Sequence, residues 1–253
     1  MHKDNIRHRI LGVDFNLISY EGVFSAIQSW RNNRGQYYIT LTPPYSVLMC
    51  HRDIALKKAT GNAGLTLPDG AGIILAAKLL KYPQYGRVTG PTLMLSLCDW
   101  GRSEKLKHFF YGGASGVAET LAERLAKCYP GLQIAGTYCP PFRQLSEDED
   151  AEIIRKINEN CPDIVWVGLG SPKQEKWMAE HISKIETTAM IGVGAAFDFH
   201  SGKVKWAPAW MRNMGIEWAY RLAHEPKRMW RRNVNSFVFL AKILHQRFQG
   251  SND

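Results

Sequence analysis

The sequence predicts an α/β fold: a Rossmann-like, mostly parallel sheet flanked by helices, with a basic helical C-terminal appendage. Three observations carry that expectation. Short β-branched or aromatic runs alternate with amphipathic stretches. Unusual loops, several rich in glycine, follow four of those runs. Near residue 200 the alternation stops, and a remainder rich in Trp, Arg and Met at helical spacing begins.

In chain order, "YYITLT" reads as a strand, "PPYSVLMCHRDIALKKAT" as one helix, "GLTLP" as a strand and "GAGIILAAKLL" and "TGPTLMLSLCDWGRS" as helices. The second half is more regular. "KHFFYGG" predicts a strand, "GVAETLAERLAKCYP" a helix, "LQIAGTY" a strand and "SEDEDAEIIRKINEN" a helix. "DIVWVGLG", "SPKQEKWMAEHI" and "AMIGVGAAF" then predict strand, helix and strand. Pro208 and Pro226 break the remainder into short helices. Within "VNSFVFLAKILHQRF", Val234, Phe237, Val238, Ala241 and Leu244 form an apolar stripe, widened by Phe239, Leu240 and Ile243. That stripe suits either the core or, with "KRMWRR" ahead of it, an anionic bilayer surface.

Composition narrows the function. The 253 residues suffice for one sizeable core, and 45% hydrophobic content is that of a folded protein. The five cysteines form no C-x-x-C pair and lack metal-ligand spacing, so they read as reduced thiols. "MHKDNIRHRILGVDF" lacks the apolar core of a signal peptide, and no run approaches the roughly 20 apolar residues of a membrane span. A cytoplasmic protein, neither secreted nor integral to a membrane, is expected. The net charge of +9 is uneven: from Ser201 onward ten cations face three acids. Such a segment seeks phosphate, on nucleic acid, anionic lipid or a phosphorylated ligand.

Ligands of open parallel sheets sit at the carboxyl ends of the strands. There the sequence places "TLTPP", "PDGAG", "YGGASG" and "GLGSPKQE". Asp69 is a carboxylate inside the apolar run "LTLPDGAGIILAA", where it serves either as a turn residue or as a working group. "YGGASG" offers a helix N-terminus to a phosphate, or simply a tight turn. Ser171 and Pro172 fit the start of a helix, with Gln174 and Glu175 closing a capping box. "DED" at 148–150 resembles a metal motif, but Ser146 with Glu149 makes a capping box, so no metal site is expected.

Taken in order, "LPDGAGI", "RVTG", "YGG", "VGLGSPKQE", "GVGAAFDFHSG" and "APAWM…EWAYRLAHEPKRMWRR" resemble the WecG/TagA/CpsF family, glycosyltransferase family 26, from about Gly12 to Leu244. The resemblance implies an inverting, metal-independent enzyme without cofactor. It would move a hexose of the glucose or N-acetylmannosamine type from a UDP-sugar onto a polyprenyl-diphosphate-linked sugar, at the inner face of the cell membrane. Residues 1–200 would form the catalytic domain, and 201–253 an appendage that docks on the membrane and completes the site. Asp69 would be the general base, and Thr40 would position a sugar. Thr42, Arg87, Gly112, Gly113, Gly168, Gly170, Lys173, Gln174 and Glu175 would hold substrate, while Arg221, Arg228 and Arg231 match the family's tail arginines. Those three share a helical face only if one helix runs through Pro226. Thr42 and Pro91-Thr92 depart from the Asn and Asp often found there in the family, which leaves the transferred sugar open. Nucleic acid is not an expected partner, and the oligomeric state stays open. The alternative is a non-catalytic module that binds membrane or nucleic acid through the basic tail, whose cations are accompanied by Trp206, Trp210, Trp218 and Trp230.

Overall fold

The computed structural model describes residues 6–83 and 85–249, without the side chains of Arg228, Phe248 and Gln249. A hairpin unread in the sequence comes first, β1 (Arg7–Ile10) and β2 (Val13–Asn16), turning through Leu11 and Gly12, both at positive φ. α1 (Tyr20–Asn32) follows, capped by the Ser19 hydroxyl accepting from the Gly22 amide.

The main sheet contains β3 (Tyr37–Thr42), β4 (Leu65–Pro68), β5 (Lys107–Gly112), β6 (Gln133–Tyr138), β7 (Ile164–Gly168) and β8 (Ala189–Gly192). Its order is β4-β3-β8-β7-β5-β6, and every pairing is parallel. The expected last strand is cut short. Gly194 turns at φ 50, and Ala196–Ser201 is already helical as α9.

Helices cover both faces, as a buried parallel sheet requires. On one face α1, α5 (Gly90–Ser103), α6 (Val117–Cys128) and α9 pack on Ile39, Leu41, Phe110, Trp166 and Ile191. On the other, α7 (Glu147–Glu159) and α8 (Lys173–His181) pack on Tyr38, Phe109, Val165, Val167 and Met190. The single helix expected over 43–60 is two, α2 (Pro44–Cys50) and α3 (Ile54–Gly61). Asp53 restarts it by accepting from the Leu56 amide.

Beyond α9 lie α10 (Ala209–Asn213), α11 (Glu217–His224) and α12 (Pro226–Gln249). Two are short, as expected, but α12 runs 24 residues, because Pro226 begins a helix instead of breaking one. The expected apolar stripe is divided between two surroundings. Phe239 and Ile243 are fully buried with Ile10, Phe15, Val47 and Ile73 of the hairpin, α2 and α4 (Ala71–Leu79), whereas Val234, Phe237, Val238 and Leu244 are exposed. The helix is apolar on both sides, and among the described residues the side of Val234, Phe237, Val238 and Leu244 stays exposed.

Candidate active site

A cavity of about 490 Å³ opens at the carboxyl ends of β4, β3, β8 and β7, with α11 and α12 forming its outer wall. Elements before and after residue 200 thus line one cavity. Asp69 follows β4, its amide bonded to the Thr42 carbonyl, and Gly70 turns at φ 90 into α4. The turn expected at Pro-Asp-Gly is present. Its carboxylate faces the cavity, half-buried, and loss of water pushes the pKa up to about 6. Glu217, at the start of α11, adds like-charge repulsion, while Arg87, Arg221 and Arg232 oppose both effects.

These arginines stand on different walls. Arg87 donates 2.9 Å to the Arg212 carbonyl at α10. Arg221 lies over the Phe199 ring of α9, 5.4 Å from its centroid, and Arg232 over the Tyr45 ring of α2 at 4.5 Å. Three guanidinium groups around one cavity suit anionic oxygens, which they bind as planar forks.

Gln174 and Gly170 also line the cavity. The helix expected to start on Ser171 starts at Lys173, with Pro172 as its cap and no side-chain capping bond. Ser171 instead pairs with Ser46 across 3.2 Å, and the Gln174 carboxamide accepts from the Gly170 amide and donates to Glu175, each at 3.2 Å. Glu175 is buried behind it, and burial raises its pKa.

Several residues singled out by resemblance stand away from the cavity wall. Thr40 and Thr42 are buried beneath it, with Thr42 bonded to Thr40, Thr40 to Thr66, and Thr66 to the Thr60 carbonyl. Gly112, Gly113 and Gly168 are packing glycines. A Cβ on Gly112 would meet Gly168 backbone at 2.6 Å, and one on Gly168 would meet the Phe197 ring at 2.6 Å. Lys173 and Arg231 are exposed outside the lining, and the Arg228 side chain lies outside the described residues. Arg221 and Arg231 sit on separate helices, since α11 ends at His224.

Sequence reasoning missed Tyr45, Gly194, Glu217, Arg232 and Asn233, all in the lining. For Glu217 a signal existed: it is one of three acids among ten cations. Asp148–Asp150 belong to the capped start of α7, where Ser146 and Glu149 bond each other's amides and Asp150 pairs with His181 at 2.9 Å. Among the described residues no three His, Cys, Asp or Glu side chains gather as metal ligands.

A parallel α/β sheet whose strand ends present a half-buried carboxylate beside three arginines has the features of an enzyme's active site. The chain belongs to the Glycosyl transferase WecG/TagA/CpsF family, whose model matches residues 8–253, and it is a glycosyltransferase. Curated relatives include an N-acetylglucosaminyldiphosphoundecaprenol N-acetyl-beta-D-mannosaminyltransferase of Bacillus spizizenii, 32% identical over 85% of this chain and 81% of that protein. A Staphylococcus aureus (strain MW2) protein of the same name is 30% identical over 91% of this chain and 90% of its own length.

Proposed function

We propose that the protein is an inverting, metal-independent glycosyltransferase that moves a hexose from a UDP-sugar to a sugar carried on polyprenyl diphosphate. Asp69 takes the proton of an acceptor hydroxyl as that oxygen attacks the anomeric carbon. The bond from the anomeric carbon to the donor's phosphate oxygen breaks, and its electrons leave with UDP. Arg87 and Arg221 neutralise the charge that develops on the departing diphosphate. Gln174 and the open backbone at Gly170 shape the donor pocket, and the buried threonines hold β3 and β4 in register beneath the base.

The observation that carries this reading is Asp69 itself: a carboxylate in the cavity wall, lifted to about 6, has the proton affinity a base working near neutrality needs. The relatives' names support a lipid-linked acceptor and favour N-acetylmannosamine among the hexoses. Residues 1–200 act as the catalytic body, and 201–253 as the appendage that completes it. No helix of the described residues is long and apolar enough to cross a membrane. The exposed apolar and cationic side chains of α12 support peripheral docking on the inner face of the cell membrane instead.

The test is transfer of labelled sugar from a panel of UDP-hexoses to a lipid-diphosphate-linked sugar, for wild type and Asp69→Asn. The reading expects one preferred donor and a loss of about 10²- to 10⁴-fold in the variant, with UDP binding intact. Equal rates for the two proteins would remove Asp69 from the mechanism.

A further inference from the structure

We propose that Arg232, Asn233 and the apolar side chains beside them on α12 form the subsite for the acceptor's isoprenyl diphosphate, apart from the cations that receive the departing UDP. This rests on the transfer reaction proposed above.

The chemistry of inversion requires two diphosphate sites. The attacking hydroxyl and the leaving phosphate lie on opposite sides of the anomeric carbon, so the donor diphosphate points away from the base. The acceptor's own diphosphate is only one sugar ring from the hydroxyl that Asp69 deprotonates. A cation on the acceptor's side of Asp69 must therefore differ from the one that takes UDP.

Arg232 stands on a different wall from Arg221 and suits that second role. Its charge acts on Asp69, and its guanidinium rests on Tyr45 of α2, while Arg221 rests on Phe199 of α9. The two cations approach the cavity from different walls. Arg232 has no carboxylate partner among the described residues, and stacking on a ring leaves its edge donors free for oxygen. Beside it Asn233 lines the same cavity, and its Nδ2 is buried without a hydrogen-bond partner among the described residues. A buried orphan donor next to an unpaired cation is what an anionic ligand would satisfy.

The neighbouring surface suits the other half of such a ligand. Met229, Arg232, Asn233, Ser236, Phe237 and Leu240 all line the cavity and recur at helical spacing, one face of α12. That face is polar near Arg232 and apolar towards Leu240, with Leu75 of α4 lining the cavity as well. Phe237 is 69% exposed and Leu75 43%, so this wall reaches the surface, where Val234 and Val238 are exposed too. An isoprenyl diphosphate has this order of parts: a charged head in the cavity and an apolar chain leading out.

The experiment has a binding arm and a kinetic arm. Farnesyl diphosphate is titrated into the unliganded protein, followed by calorimetry, with and without saturating UDP. Binding is expected, weakened at least tenfold by Arg232→Gln, several-fold by Asn233→Ala, and not displaced by UDP. With the donor that wild type uses, Arg232→Gln is expected to raise the KM for a farnesyl-diphosphate-linked sugar about tenfold and leave the donor KM unchanged. Wild type should prefer a farnesyl to a methyl ester of the same sugar diphosphate, and Phe237→Ser should erase that preference. Unchanged thermal midpoints certify all three variants as folded. Competitive displacement by UDP, wild-type affinity in Arg232→Gln, or a rise in donor KM alone overturns the subsite. Farnesyl diphosphate bound through Arg232 in a protein that transfers no sugar would keep the subsite and overturn the reaction.

Discussion

The backbone amide of Leu11 donates to Oε1 of Gln246 across 3.0 Å, so the turn of the N-terminal hairpin holds the last turns of α12. Fourteen residues earlier on that helix stands Arg232, in the cavity wall. The N-terminal hairpin is thereby tied to the helix that carries Arg232 into the cavity wall.

Phe239→Ala tests that tie. The side chain is fully buried between α12 and the hairpin region, so truncation costs about 3–5 kcal/mol of local packing. Hydrogen exchange is expected to show α12 losing protection while the six-stranded sheet keeps it. Loss spread evenly over the sheet would show that helix and core unfold as one unit.

Activity should depend on pH through Asp69, which accepts a proton only when ionised. With its pKa at about 6 in the free protein, kcat/KM falls as pH drops through that value. Glu217→Gln removes a like charge, lowers the pKa of Asp69 and moves this limb to lower pH. A limb that does not move would separate Glu217 from the base.

Asp69→Asn should also stabilise the protein. The folded pKa of Asp69 lies above the unfolded value of 3.8, so folding is penalised by its ionisation, fully above about pH 6 and not at all below 3.8. The variant is expected to melt a few degrees higher at pH 7. That advantage should vanish at pH 3.5 in paired melting curves.

Two glycines with similar sequence surroundings should respond differently to alanine. At Gly112 a Cβ would strike Gly168 backbone, which cannot yield, and about 2–4 kcal/mol or more is lost. At Gly170 nothing lies within 4 Å, and the cost is about 1 kcal/mol for φ +77 alone. Urea unfolding of the two variants measures the difference.

Arg231 and Arg221 should separate membrane docking from turnover. Arg231 is exposed outside the cavity, and Arg221 lines it. Arg231→Ala is expected to weaken binding to anionic vesicles about fivefold, as loss of one surface cation implies. Its turnover on a short-tailed acceptor should fall far less than that of Arg221→Ala.

The central strands were legible because buried parallel strands are continuous apolar runs, and "DIVWVG" or "YYITL" leaves little choice. The division of 43–60 was not, although Asp53 carried the signal as a helix cap three residues before Leu56. Periodicity marked the apolar residues of α12 but left open which of them meet the core. With Phe237 and Val238 next to Phe239 and Leu240, the pattern cannot say which face meets the hairpin. At the site, Asp69 and Arg87 were readable from their local motifs, whereas Arg232, Asn233 and Tyr45 meet only because α12 folds back onto α2. Gly112 and Gly168, at the ends of β5 and β7, were noticed for the right peculiarity, but what they make room for is each other and Phe197.

Because the outer wall of the cavity belongs to α11 and α12, the parts of this enzyme are made in a definite order. Translation runs from the N-terminus, and all six strands of the main sheet have been synthesised before the first residue of α11 is added. A nascent chain still threaded through the ribosome holds Asp69 yet lacks Arg221 and Arg232. The cavity is walled only once α11 and α12 are made, so on the proposed mechanism a product that stops at residue 200 would carry Asp69 in an open groove and transfer no sugar.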